Sequence, residues 1–256
     1  VMDLPVNRFK QGLREGRQQI GLWNSIPGGL VAEALAGCGF DWVVIDTEHS
    51  PTDVPDVLGM LQAMAPYPVS VVVRPAGHDP VVIKRLLDFG AQTLLIPYVQ
   101  SAEEARALVA AVRYAPRGVR GVAGLTRASR FGAVADYTAR ADAGICLLVQ
   151  VETALALTRI EEIAGVDGVD GLFIGPADLA TSMGHPGQPS HPDVVAAIED
   201  AVRRITAAGK PAGILTLDPA FAQACMGWGT TFTAVGMDLA LMLHGARALA
   251  TRFRGA

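Results

Sequence analysis

Two acidic residues each close an apolar run. Glu152 follows Cys146-Leu147-Leu148-Val149-Gln150-Val151, and Asp178 follows Gly171-Leu172-Phe173-Ile174-Gly175-Pro176-Ala177. Both runs have the length of a buried strand and carry no charge before the carboxylate. If the strands are neighbours in a parallel sheet, the two carboxylates emerge on one rim, where hard oxygen donors suit a divalent cation. Two carboxylates completed by water fit Mg²⁺ or Mn²⁺ better than zinc, for which the chain offers no His/Cys ligand set. The competing reading makes Glu152 and Asp178 helix N-caps, because helices begin just past such strands.

Further polar residues stand at the same kind of position. Asp46, Glu48 and His49 follow the run Trp42-Val43-Val44-Ile45, Arg74 ends Val69-Ser70-Val71-Val72-Val73, and Gln150 lies two residues before Glu152, on the same strand face. The opposite strand ends are plainer, with Gly39-Phe40, Pro68, Gln92 and Lys210-Pro211. His49 alone reads equally as a loop histidine. Asp46, three residues earlier, could orient its imidazole as in general acid–base pairs. Arg74 is either an ion-pair partner for a rim carboxylate or a guanidinium placed to stabilise an oxyanion, and its terminal position in an uncharged strand favours the second. Trp23 is an apolar wall of the site or core. His78, His185, His191 and His244 have no evident partner.

Strand-length runs at 20–23, 42–46, 69–74, 93–97, 145–152, 171–175, 212–215 and 231–236 alternate with helical segments. Asp79-Pro80 and Asp218-Pro219 open two helices as cap and first-turn proline. Ser101 and Glu104 have the spacing of a capping box, and Pro192 to Ala208 carries Val195, Ile198, Val202 and Ile205 before Gly209. Eight strand–helix units predict an α/β protein folded as one closed (β/α)8 barrel over residues 1–256. No G-x-G-x-x-G turn supports an open doubly wound sheet. Residues 114–144 break the rhythm; long and rich in arginine and glycine, they are expected to border the active site, with Arg127 or Arg130 reaching a distal carboxylate of the substrate.

Composition narrows the partner. With 256 residues, 50% of them hydrophobic, and a net charge of −4, the chain can bury one large core but has no basic field for nucleic acid or for a membrane surface. No apolar run reaches the roughly 18 residues of a membrane span, and the N-terminal stretch lacks a signal peptide's apolar core. A cytoplasmic protein acting on a small molecule is expected. Cys38, Cys146 and Cys225 are read as reduced core residues. The lysines are Lys10, Lys84 and Lys210 only, none placed for Schiff-base chemistry; no G-x-S-x-G elbow is present.

The runs GFDWVVIDTEHSP, VVVRP, IKRLLDFGAQTLLIPYVQ, RYAPRGVRGV, LVQVET, GVDGLFIGPADLA, AGKPAGIL and AVGMDLAL occur in that order. Together they closely resemble the HpcH/HpaI family of metal-dependent pyruvate aldolases. The resemblance implies reversible cleavage of 4-hydroxy-2-oxo acids to pyruvate and an aldehyde, with Mg²⁺, Mn²⁺ or Co²⁺ held by Glu152 and Asp178. It implies a pyruvate pocket formed by Gln150 and the backbone around Gly175, Pro176 and Ala177; Trp23 and Leu215, at the ends of their strands, are further candidate substrate-binding residues. By the same resemblance His49 and Asp46 form an acid–base dyad, Arg74 faces the keto oxygen, and Asp88 reaches a neighbouring subunit's site. The assembly implied is a homo-hexamer, a trimer of dimers that exchange the last helix. Thr47, where the family commonly has glycine, and the stretches Ile26 to Gly29 and Thr216 to Pro219 depart from the pattern near the pocket mouth, so the aldehyde is left open. Related readings are a 2-dehydro-3-deoxy sugar-acid aldolase, a citrate-lyase or malyl-CoA-type lyase, and a catalytically silent metabolite-binding barrel.

Overall fold

Eight short apolar runs become eight parallel strands in the computed structural model, which describes residues 2–254. The strands are β1 (Gln19–Asn24), β2 (Trp42–Asp46), β3 (Ser70–Arg74), β4 (Thr93–Ile96), β5 (Cys146–Val151), β6 (Gly171–Ile174), β7 (Ala212–Leu215) and β8 (Thr230–Met237). Each pairs with its neighbour in sequence and β8 returns to β1, closing the barrel. The helices are α1 (Arg8–Arg14), α2 (Gly29–Ala36), α3 (Val54–Met64), α4 (Pro80–Asp88), α5 (Ala102–Val112) and α6 (Tyr137–Gly144), followed by α7 (Ala154–Leu157), α8 (Ile160–Ala164), α9 (Pro176–Ser182), α10 (Pro192–Ala207), α11 (Pro219–Trp228) and α12 (Asp238–Arg254). The expected strands match to within one or two residues at each end.

Local chemistry sets the helix starts. Asp79 and Asp218 accept from the N–H groups of Val81 and Ala220, each with proline at the first helical position, where a missing N–H costs nothing. Ser101 Oγ accepts from Glu104 N (3.1 Å), but the Glu104 carboxylate accepts from Gln100 N (2.6 Å) rather than from Ser101. The reciprocal capping box stands instead at Asp53 and Asp56.

Strand periodicity divides the core in two. Outward residues such as Val43, Ile45, Leu147, Val149 and Ile174 pack under the helices. Inward residues Trp42, Val44, Val72, Leu95, Leu148, Phe173 and Phe232 fill the barrel. Helix α1 closes its N-terminal end by inserting Phe9, whose ring meets Trp42 edge-on at 5.6 Å and Phe232 at 5.8 Å. Room for these rings comes from Gly21 and Gly213, where a β-carbon would overlap Trp42 and Phe232 respectively. Lys10, beside Phe9, pairs with Asp170 (3.2 Å) and donates to the Ile145 carbonyl.

Helix α12 behaves differently. Only Asp238 of its residues is buried, and Leu241, Met242, Leu249 and Phe253 are exposed. Among the described residues, no helix is long and apolar enough to cross a membrane.

Candidate active site

The inward columns that begin as apolar core end as charge. Trp42 and Val44 are followed on the same face by Asp46, Val72 by Arg74, and Leu148 by Gln150 and Glu152. Asp46 and Arg74 are direct partners across the β2–β3 ladder. Arg74 donates through Nε to Asp46 Oδ1 (2.8 Å) and through Nη2 to Oδ2 (2.7 Å), a bidentate bond with both residues buried. Its third nitrogen, Nη1, lies 2.8 Å from Glu48 Oε2 and 3.4 Å from Gln150 Oε1. Beneath them Trp23 settles as wall and core at once. It is buried, donates its indole N–H to Asp46 Oδ2 (3.3 Å), and carries the Arg74 guanidinium 4.9 Å above its ring.

Gln150 links this group to Glu152. Its amide donates to Glu152 Oε2 (2.7 Å), while Tyr98 N donates to Oε1 (2.7 Å). Tyr98 takes a left-handed backbone (φ 58°) in the turn after β4, where the Pro97 carbonyl is 2.7 Å from His78 Nε2. Gly175 completes the seat, since a β-carbon there would overlap the Glu152 carboxylate. Asp178 lies in the first turn of α9, and Gly175 holds the cap position; α7 is capped by Thr153, whose hydroxyl accepts from Ala156 N. Neither carboxylate caps a helix.

Electrostatics separates the carboxylates. Burial alone would raise Asp46, but the hydrogen bonds and charge of Arg74, with the Glu48 N–H and the Trp23 indole, hold it below its ordinary value. Burial pushes the Glu152 carboxyl up to about 7, and the charges of Asp178 and Glu48 add to the rise against the bonds from Tyr98 and Gln150. Glu48 is likewise raised, by burial and by Asp46 and Asp178, despite Arg74 and His49. Three mutually repelling carboxylates thus face a rim whose one guanidinium is already committed to Asp46 and Glu48. A divalent cation on Glu152 and Asp178 would relieve that repulsion, and oxygen-only donors fit a hard cation.

Some expected residues lie elsewhere. His49 is exposed, and its Nε2 is 3.7 Å from Glu48 Oε1; Asp46 is turned to Arg74 and does not orient it. Leu215 packs against the barrel-interior cluster, and Pro176 and Ala177 form the first turn of α9. Asp88 ends α4, where its Oδ1 accepts from Arg120 Nη2 (2.9 Å). Residues 114–144 fold as turns and α6 around that same end. Arg127 donates to the carbonyls of Phe89 (2.8 Å) and Leu61 (3.3 Å), at the ends of α4 and α3, so within this chain it braces two helix termini. Glu48 and the Tyr98 N–H were not given a role from sequence. Glu48 had a signal, its place on the charged rim; a backbone donor had none.

Residues 19–245 match the model of the HpcH/HpaI aldolase/citrate lyase family. The chain belongs to this family. It is 64% identical over 252 residues to a pyruvate aldolase of Rhizobium etli, covering 98% of this chain and 99% of the relative. It is 56% identical over 248 residues to a 4-hydroxy-2-oxo-heptane-1,7-dioate aldolase of Klebsiella pneumoniae, covering 96% and 94%. Among solved structures, an HpcH/HpaI aldolase/citrate lyase family protein of Burkholderia cenocepacia superposes with a TM-score of 0.94 at 39% identity, covering 97% of this chain and all of that one.

Proposed function

We propose that the chain is a divalent-metal-dependent aldolase that reversibly cleaves 4-hydroxy-2-oxo acids to pyruvate and an aldehyde. The observation that carries this is the convergence of Glu152, Gln150, Arg74 and Asp178 on one rim, supported by near-full-length identity to named aldolases. Glu152 and Asp178 would hold Mg²⁺, Mn²⁺ or Co²⁺, which when bound supplies Lewis-acid polarisation of the keto group. Arg74, held rigid by its two bonds to Asp46, keeps Nη1 at the rim between Glu48 (2.8 Å) and Gln150 (3.4 Å), and by exchanging the longer contact to Gln150 for substrate it stabilises negative charge growing on the keto oxygen. Gln150 keeps the Glu152 carboxylate in place, and Trp23 forms the dry floor. His49 moves the proton of the aldol hydroxyl, its imidazole exposed at the mouth. Asp46 serves through Arg74 rather than through His49. The apolar surface left on α12, with Val122, Leu125 and Phe131 of the long segment, supports a homo-hexamer that exchanges its last helix and brings Asp88 to a neighbouring site.

The test is proton exchange at the methyl group of pyruvate, followed by NMR in deuterated buffer. Exchange is expected with added metal, and to be lost with chelator and in Glu152→Ala. Normal exchange by Glu152→Ala would overturn the metal assignment. Aldehydes offered with pyruvate, with products identified, define the acceptor.

A further inference from the structure

Outside the barrel mouth, the connection from α9 to α10 gathers a second set of donors. His185, His191 and Asp193 place one ligating atom each within 4.8 Å of one another. His185 Nε2 is 3.6 Å and His191 Nδ1 3.8 Å from Asp193 Oδ2, and the two imidazoles stack with centroids 3.6 Å apart and planes 16° from parallel. We propose that His185, His191 and Asp193 form a binding site for a transition-metal dication such as Zn²⁺ or Co²⁺, distinct from the hard-cation site of Glu152 and Asp178.

Three features support this. The first is spacing. Ligands about 2.0–2.1 Å from a tetrahedral zinc lie about 3.4 Å apart; the two edges to Asp193 exceed that by a few tenths of an ångström and all three donor atoms lie within 4.8 Å, so that turning one imidazole out of the stack brings both in-plane lone pairs onto one ion. The second is protonation at nitrogen. His191 Nδ1 accepts from Asp193 N (3.2 Å), which leaves its proton on Nε2 and a lone pair on Nδ1 facing the cluster. Metal binding would exchange that weak bond for a coordinate one and leave the Asp193 N–H to solvent. The third is preorganisation. His185 N donates to Ala180 O (2.8 Å), Gln188 N to His185 O (3.1 Å) and His191 N to Gln188 O (3.0 Å), while Pro186, Pro189 and Pro192 stiffen the same eight residues. The imidazole-rich donor set selects zinc, cobalt, nickel or copper over magnesium. Its exposed side leaves a fourth position for water.

The experiment uses full-length protein without a histidine tag, dialysed against Zn²⁺ and analysed for metal per chain. Wild type is expected to hold one zinc more than His185→Ala/His191→Ala, and Glu152→Gln to retain the zinc that the double variant loses. Turnover with Mg²⁺ should be the same in wild type and double variant. Equal zinc in wild type and double variant would overturn the proposal. A second measurement needs no disruptive substitution. With excess Mg²⁺ on wild type, added Co²⁺ should give the intense visible absorption of a tetrahedral centre, absent in Asp193→Asn. A pale octahedral spectrum in wild type, or an unchanged intense one in Asp193→Asn, would rule the site out.

Discussion

The two ends of the barrel are built from the same strands and solve opposite problems. At the N-terminal end the interior is closed by Phe9 among Trp42 and Phe232, and Lys10, buried beside Phe9, has both a carboxylate and a carbonyl partner. At the C-terminal end Glu48, Glu152 and Asp178 repel one another, and two of them are pushed up as acids. The closed end is satisfied by packing, whereas the open end stores electrostatic repulsion that a cation and an anionic substrate can relieve. The column Leu148, Gln150 and Glu152, running up β5 and just past its end, links the two ends, because the apolar floor fixes where the carboxylate stands.

Substitutions at the two ends should therefore fail in different ways. The largest effect is expected from Arg74→Ala, which removes the oxyanion donor and leaves Asp46 buried without its partner. kcat/KM should fall about 10²–10³-fold, and stability by about 3–5 kcal/mol, read by steady-state kinetics and urea melts. Arg74→Lys should restore little, since an ammonium cannot reproduce the bidentate bond. Next comes Gly175→Ala. Its β-carbon displaces the Glu152 carboxylate, so kcat/KM should drop roughly 10²-fold while the urea midpoint barely moves. Gly213→Ala is the mirror case at the closed end, where the added carbon meets the Phe232 ring. It should lower stability by about 1–3 kcal/mol and leave kcat/KM of the folded enzyme unchanged. If Gly213→Ala cut kcat/KM as deeply as Gly175→Ala, the two ends would not be separable in this way.

How much of this was legible in the sequence follows from which groups carry it. The strands were, because β-branched runs such as Val43 to Ile45 and Val71 to Val73 end abruptly on charge, and the rim residues were for the same reason. Partner choice was not. Asp46 stands three residues before His49 but directly opposite Arg74 in the ladder, and cross-strand register outweighs nearness along the chain. Tyr98 holds Glu152 through its backbone N–H, a donor every residue has and no side-chain pattern reveals. His185 and His191 meet only because a proline-rich turn folds between them. Residues 114–144 looked like a loop over the site, yet Arg120 and Arg127 tie them to the far end of α4.

The loop over the pocket mouth gives the finest distinction between the ends. Asp238, at the start of α12, accepts from the N–H groups of Ser25 (2.9 Å) and Ile26 (2.9 Å), the Ser25 hydroxyl (2.8 Å) and the Asn24 amide (2.7 Å). It thereby fastens the turn after β1 to the last helix. Burial would raise this carboxyl, but those hydrogen bonds outweigh it and hold it below its ordinary value of 3.8. A depressed folded-state value means that the stabilisation is present above the unfolded value and is lost as pH falls through the folded one. Asp238→Asn should cost roughly 1.5 kcal/mol at neutral pH, and the gap between variant and wild type should close below about pH 4 as the wild-type carboxyl protonates. Because the turn borders the mouth and not the carboxylates, KM for the aldehyde should change more than the rate of pyruvate proton exchange. An unchanged gap at acid pH would show that the anion is not what holds the turn, and an equal loss of exchange would place the turn within the catalytic rim itself.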